Sequence, residues 1–100
     1  MEKQYMVQSF NIDERQDFYN YLINNGYEPK ENFINDDFIN SRFPFIIEPD
    51  KTIWICRSVT CCAAAATCNA IITIDEYYNI IKNNNLELVL KLSNKNNNSN

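Results

Sequence analysis

The segment from Asn11 to Gly26 constrains the fold most, because it carries both ends and the buried face of one helix. Asn11 is followed three residues later by Glu14, which is the spacing of a helix capping box. Apolar side chains then share one helical face: Phe18, Tyr21 and Leu22. Gly26 stands where a left-handed helix end favours a residue without Cβ. We therefore predict an amphipathic helix from Ile12 to Asn25.

Three segments before residue 60 have the composition of strands. Gln4 to Phe10 alternates apolar and polar residues and is rich in strand formers. Phe43 to Ile47 and Thr52 to Val59 are separated by the turn-forming sequence Glu-Pro-Asp-Lys, which predicts a hairpin. Thr52 to Val59 is largely apolar on both faces, as is typical of a central strand.

The second half of the chain begins with the segment Thr60 to Ala70, in which alanine and cysteine predict a short helix. Thr73 and Glu76 form a second capping box, so we predict another helix that ends at the asparagines 83–85. Leucine alternates strictly from Leu86 to Leu92, which predicts a strand with one buried face. Residues 93–100 are polar and rich in asparagine, which predicts a disordered tail.

The predicted order of elements is that of a ferredoxin-like βαββαβ sandwich. In this α+β fold, two helices cover one face of an antiparallel four-stranded sheet. The short Ala/Cys-rich helix is an addition to that plan. We expect one domain over residues 1–92, which agrees with the length of 100 residues, followed by the tail at 93–100.

Charge and hydropathy restrict the partners. The chain has 13 acidic and 9 basic residues, a net charge of −4, which argues against nucleic acid and against an anionic membrane. Such a charge favours a partner with a basic surface, although solubility alone also explains it. The start of the chain is polar and lacks the features of a signal peptide, and no apolar run reaches the roughly 20 residues of a membrane span. We therefore expect a cytoplasmic protein with reduced cysteines.

Two residue types are scarce in a way that restricts chemistry. The chain has no histidine, the commonest general base, and one glycine. The usual catalytic triads, mixed zinc sites and glycine-rich phosphate loops all need these residues. We therefore expect a protein that is not an enzyme and that binds no cofactor.

The cysteines lie close together in sequence: Cys56, Cys61, Cys62 and Cys68. Structural zinc sites use pairs of cysteines two to four residues apart, and this spacing does not provide them. We favour buried apolar cysteines over a metal site. The other alternative is a reactive thiol, because Cys61 and Cys62 would lie in the first turn of a helix capped by Thr60.

The alanine-rich helix has a face of small residues that allows another backbone to approach closely. We favour packing against the protein's own sheet, and the alternative is a homodimer formed through this helix.

The middle of the chain is acidic and aromatic, and it supplies our candidate contact residues for a partner: Asp36, Asp37, Phe38, Phe43, Glu48 and Asp50. A solvated loop is the simpler interpretation. If the region is functional, it is better suited to contact a basic protein surface, or to imitate the charge of a nucleic acid, than to perform catalysis.

Two short stretches resemble small accessory proteins of bacteriophages. The first runs from Phe10 to Tyr27 and includes Tyr-Leu-Ile-Asn-Asn-Gly-Tyr, and the second is Ile-Thr-Ile-Asp-Glu-Tyr-Tyr from Ile72 to Tyr78. The richness in Asn, Ile and Lys is also compatible with a larger virus. The segment 60–70 does not match the pattern. The resemblance implies a protein of the host-cell cytosol that binds and inhibits a host-defence or regulatory protein by occlusion, as anti-CRISPR proteins do.

Overall fold

The computed structural model describes the backbone of residues 3–98 and the side chains of residues 3–93. Along this part of the chain the elements are β1 (Tyr5–Gln8), α1 (Ile12–Asn24), β2 (Glu28–Pro29), α2 (Asn35–Ile39), β3 (Phe45–Ile47), β4 (Thr52–Ile55), α3 (Val59–Ala66), β5 (Ile71–Thr73) and α4 (Ile74–Asn98). The described strands form one mixed sheet in the order β2-β4-β3-β1-β5. β3 is antiparallel to both β1 and β4, whereas β5 is parallel to β1 and β2 is parallel to β4.

The predicted first helix is confirmed as α1. The side-chain oxygen of Asn11 accepts a hydrogen bond from the Glu14 amide at 3.0 Å, which caps the first turn. Gly26 has a φ of +87°, the left-handed backbone that its position after the helix requires. The helix ends at Asn24, one residue earlier than predicted.

The predicted hairpin is confirmed as β3 and β4. The Glu48 amide donates to the Thr52 carbonyl at 2.9 Å and so closes the turn. Phe45 lies opposite Ile55, and Ile47 lies opposite Ile53. β4 lies between β2 and β3 in the sheet, as its two apolar faces predict.

The larger core lies between one face of the sheet and the helices α1, α2 and α4. The Phe18 ring of α1 contacts Phe45 of β3 edge-on at 5.1 Å and Tyr77 of α4 edge-on at 5.6 Å. Such edge-to-face contacts add to the free energy gained by burying the rings. Phe18 therefore joins two of these helices to the sheet.

The other face of the sheet is covered by α3. Met6 of β1 and Ile46 of β3 are fully buried beneath this helix. Three small side chains of α3 face them: Cys61, Cys62 and Ala65. The expectation that the alanine-rich segment forms a helix against the protein's own sheet is confirmed, although the helix is capped by Ser58 and not by Thr60.

The predicted ferredoxin-like sandwich is wrong, although the α+β class is correct. The sheet has five described strands in mixed orientation, and helices lie on both of its faces. The difference arises from β2 and β5, which consist of two and three residues. Each of them pairs in parallel with a strand that is distant in sequence. Strands this short show no detectable alternation of apolar residues.

The predicted strand from Leu86 to Leu92 is also wrong, because α4 continues through it to Asn98. The sheet position beside β1 is taken by β5. Residues 83–85 are all asparagine, so this segment has no glycine or proline that would end the helix. Disorder over residues 93–100 stays a prediction: the described backbone is helical to Asn98, and residues 99 and 100 lie outside the described part.

Candidate functional site

An open groove of about 500 Å³ runs between α2 and the end of β4, and we call it the α2–β4 groove. Its walls combine charged and apolar side chains: Asp36, Asp37, Asn40, Ser41, Arg42, Phe43, Ile55, Cys56 and Arg57. The charged residues lie at the exposed rim, and Ile55 and Cys56 are buried at its base. A recess with an apolar floor and a polar rim is the usual form of a protein-binding pocket.

Three of the six predicted contact residues line this groove: Asp36, Asp37 and Phe43. The Phe38 side chain points away from the groove. It is fully buried in the core and stacks on Phe45 with ring centroids 5.5 Å apart. Phe38 is therefore part of the core and is not accessible to a partner.

The two remaining predicted residues lie outside the groove, at the β3–β4 turn. The Glu48 carboxylate is engaged within the protein: it accepts from Trp54 Nε1 at 2.7 Å and lies 3.6 Å from Lys30 Nζ. Asp50 accepts from the Thr52 amide at 3.0 Å and from its hydroxyl at 2.6 Å. These hydrogen bonds hold the pKa of the Asp50 carboxyl below its usual value. Both side chains therefore stabilise the turn.

Two arginines of the groove, Arg42 and Arg57, were missed by the sequence interpretation. Arg57 lies 3.5 Å from the Asp37 carboxylate and 4.3 Å from the centre of the Phe33 ring. Asp37 also accepts from the Ile34 amide at 2.8 Å and so caps α2. The groove is therefore lined by two acids and two arginines, and it is not the purely acidic surface that the sequence predicts.

The groove is positioned by Arg15, which is 1% exposed. Its guanidinium donates to the carbonyls of Phe38 at 2.7 Å and Phe43 at 2.9 Å, on either side of the segment that forms one wall. It also donates to the Ser9 carbonyl at 2.8 Å and to Gln8 Oε1 at 3.0 Å. Burial lowers the pKa of Arg15 to about 10, so the side chain remains charged at neutral pH.

The cysteines behave mostly as packing residues. Cys56 is 1% exposed, and its sulfur lies 3.1 Å from that of Cys61, which donates to it. Burial, and then the contact with Cys61, raises the pKa of the Cys56 thiol to about 12, which keeps it protonated and a poor nucleophile. Cys61 and Cys62 are half-buried and face the sheet, whereas Cys68 is exposed, contrary to the expectation of burial.

A second groove, of about 610 Å³, separates α4 from the end of α1 and the β3–β4 turn. Tyr21, Tyr27 and Lys51 lie on one side, and Leu88 and Lys91 of α4 lie on the other. Beyond this groove, residues 83–93 of α4 are exposed.

The comparisons with known proteins give no relative: no family model, no curated protein and no solved structure matches the chain. Among the described helices, none has the length and the apolar character needed to cross a membrane.

Proposed function

We propose that this protein is a non-enzymatic accessory protein of a phage or virus, which binds a host-defence or regulatory protein in the cytoplasm and occludes it. The observation that carries the proposal is the α2–β4 groove, in which charged side chains surround a recessed apolar floor. Arg42 and Arg57 stand at its exposed rim beside Asp36. Arginine is enriched in protein interfaces and is among the residue types that most often dominate their binding energy.

The wall of the groove is held by hydrogen bonds from a buried side chain, which favours binding. Arg15 fixes the carbonyls of Phe38 and Phe43, and these two residues flank the wall segment that contains Arg42. A surface that is ordered before it binds loses less conformational entropy on association. The groove is therefore suited to an ordered contact with a folded partner.

The charges of the groove define the partner's contact surface. Asp37 is already paired with Arg57, whereas Asp36 and Arg42 are exposed. The partner is therefore expected to place a basic side chain near Asp36 and an acidic one near Arg42. The net charge of −4 accelerates the encounter with a partner that is basic overall.

The titrating groups support a binding role over a catalytic one. General acids and bases work best with a pKa near neutrality. Among the described residues, the groups with the largest pKa shifts have pKa values far from neutrality. The pKa is about 12 for Cys56 and about 10 for Arg15. The pKa of Tyr77 is raised by burial and then by the Tyr27 hydroxyl 3.2 Å away.

The test is affinity capture from a bacterial lysate, followed by mass spectrometry and by titration of the captured partner in purified form. Asp36→Arg and Arg42→Glu each reverse one rim charge without removing a hydrogen bond that holds the groove. We expect each to weaken the purified complex at least about 10-fold, since a reversed charge sets like charges against each other across the interface and a cost of about 1.4 kcal/mol is already tenfold.

The matched control is Glu28→Arg, which makes the same charge change as Asp36→Arg at an exposed position of β2 outside the groove. It should bind as the original protein does. Equal affinity of all three variants would exclude the groove as the contact surface. A partner that the protein converts chemically, and does not simply hold, would refute the non-enzymatic role.

A further inference from the structure

The second half of α4 exposes a series of apolar side chains, and we call residues 83–93 the α4 arm. Each of these side chains is more than half exposed: Leu86 54%, Leu88 57%, Val89 60%, Leu90 53% and Leu92 55%. Single exposed leucines are ordinary on a protein surface, but a contiguous apolar patch marks an interaction site. The arm therefore requires a partner that covers it.

The sequence of the arm is symmetric about Val89. Equivalent residues lie at equal distances on the two sides of it: Leu88 with Leu90, Glu87 with Lys91, and Leu86 with Leu92. In two segments related by a two-fold axis, residue i of one contacts residue j of the other and the reverse contact also forms. A symmetric segment of this kind is therefore complementary to an antiparallel copy of itself.

The helical conformation places this symmetry on one face. At about 100° per residue, Leu86 and Leu92 lie roughly 60° to either side of Val89, and Leu88 and Leu90 lie roughly 100° to either side. Glu87 and Lys91 fall on the opposite side of the helix, four residues apart, which is the spacing of a favourable acid–base pair within one helix. Val89 is thus at the centre of the apolar face.

The size of this face agrees with a small, reversible interface. Five side chains that each expose on the order of 100 Å² offer at most roughly 500 Å² per copy and about 1,000 Å² for a pair. This is the lower limit for a specific protein contact. The one acidic and one basic residue of the arm cancel, so two chains with a net charge of −4 each do not repel one another at this contact.

We propose that the α4 arm is a self-association surface, whose partner is the α4 arm of a second copy packed antiparallel across a two-fold axis at Val89. This contact goes beyond the proposed function, because it requires no host protein. It also differs from a homodimer through α3, since Cys61, Cys62 and Ala65 of α3 already pack on the sheet.

The test is sedimentation equilibrium of the full chain from about 1 to 200 µM, a range that covers weak and reversible association. We expect a monomer–dimer equilibrium for the original protein. Val89→Glu and Val89→Lys each place two like charges on the axis, so each variant should weaken the dimer at least about 100-fold. An equimolar mixture of the two variants should recover dimer, because the axis then brings glutamate against lysine. This recovery is specific to an axis at Val89.

The matched control is Asn84→Glu, which adds the same charge to the same helix at an exposed position about 140° from Val89, beyond both flanking leucines, and it should leave the dimer intact. Trp54 fluorescence confirms that every variant is folded. A monomeric original protein across the whole range would overturn the proposal, as would a dimeric Val89→Glu variant or a mixture that stays monomeric. The Val89→Glu variant should still capture the host partner, since that capture depends on the α2–β4 groove. The two proposals can therefore fail independently of one another.

Discussion

Replacing Arg15 with methionine removes four hydrogen bonds from the interior and leaves the packing volume nearly unchanged. All four acceptors are neutral oxygens: the carbonyls of Ser9, Phe38 and Phe43, and the side chain of Gln8. The guanidinium also lies 4.7 Å from the centre of the Phe45 ring. The substitution therefore tests whether hydrogen bonding outweighs the cost of burying a charge.

The substitution changes the free energy of unfolding in two opposing ways: it removes the cost of burying a charge, and it removes the hydrogen bonds. Burial lowers the pKa of Arg15 from 12.5 to about 10, which corresponds to a cost of about 3 kcal/mol for burying the charge, and the methionine variant avoids this cost. Four hydrogen bonds from a charged donor contribute about 1.5 kcal/mol each, or about 6 kcal/mol together. The net loss of stability on substitution is therefore about 3 kcal/mol. A domain of this size then melts about 12–24 °C lower.

The assay is urea unfolding followed by the fluorescence of Trp54, the single tryptophan of the chain. Arg57→Met is the matched control, because Arg57 is 58% exposed in its side chain and makes one hydrogen bond, to the Asn32 carbonyl at 3.0 Å. It should lose no more than about 1 kcal/mol. Unchanged stability of Arg15→Met would show that the four hydrogen bonds only offset desolvation, and would refute this account of Arg15.

Two further predictions concern turns. Gly26→Ala should lower the free energy of unfolding, measured in urea, by about 1 kcal/mol. The cause is the backbone alone, because φ is +87° and a Cβ there would contact nothing within 4 Å. Gly26→Asn should retain most of the stability, since asparagine tolerates a left-handed backbone, and equal losses in the two variants would contradict this explanation. Asp50→Ala should be less stable than the original protein at pH 7. Since the hydrogen bonds from Thr52 lower the pKa of Asp50 below 3.8, its contribution is present above that pH and is lost as the pH falls through the folded-state pKa. A difference in stability that persists at pH 2 is the contrary result.

Local signals account for the parts of the fold that the sequence predicts. The start of α1 is determined by the contact between Asn11 and Glu14, and its end by Gly26, all within 16 residues. The β3–β4 hairpin depends likewise on a turn of four residues. The α4 start is equally local: the Thr73 hydroxyl accepts from the Glu76 amide at 3.1 Å, and the Thr73 amide donates to the Glu76 carboxylate at 2.9 Å.

The parts that the sequence did not predict depend on long-range pairing. β2 and β5 exist because β4 and β1 offer hydrogen-bonding edges, and neither short segment shows which edge it will meet. The groove shows the same limit, since Asp37 and Arg57 are 20 residues apart in sequence and approach only when α2 packs beside β4. A signal for Arg15 was present: it lies three residues before Phe18 and seven before Leu22, on the buried face of α1.

The segment from Leu86 to Leu92 shows why apolar alternation alone misled the prediction. Leucine at every second position is compatible with a strand, but a helix also gathers these leucines around Val89 on one broad face. In the sheet, the position beside β1 is taken by β5 and not by this segment. In both conformations the apolar residues remain symmetric about Val89, so an antiparallel copy is complementary to either. The segment whose secondary structure was predicted wrongly is thus the segment on which the proposed self-association depends.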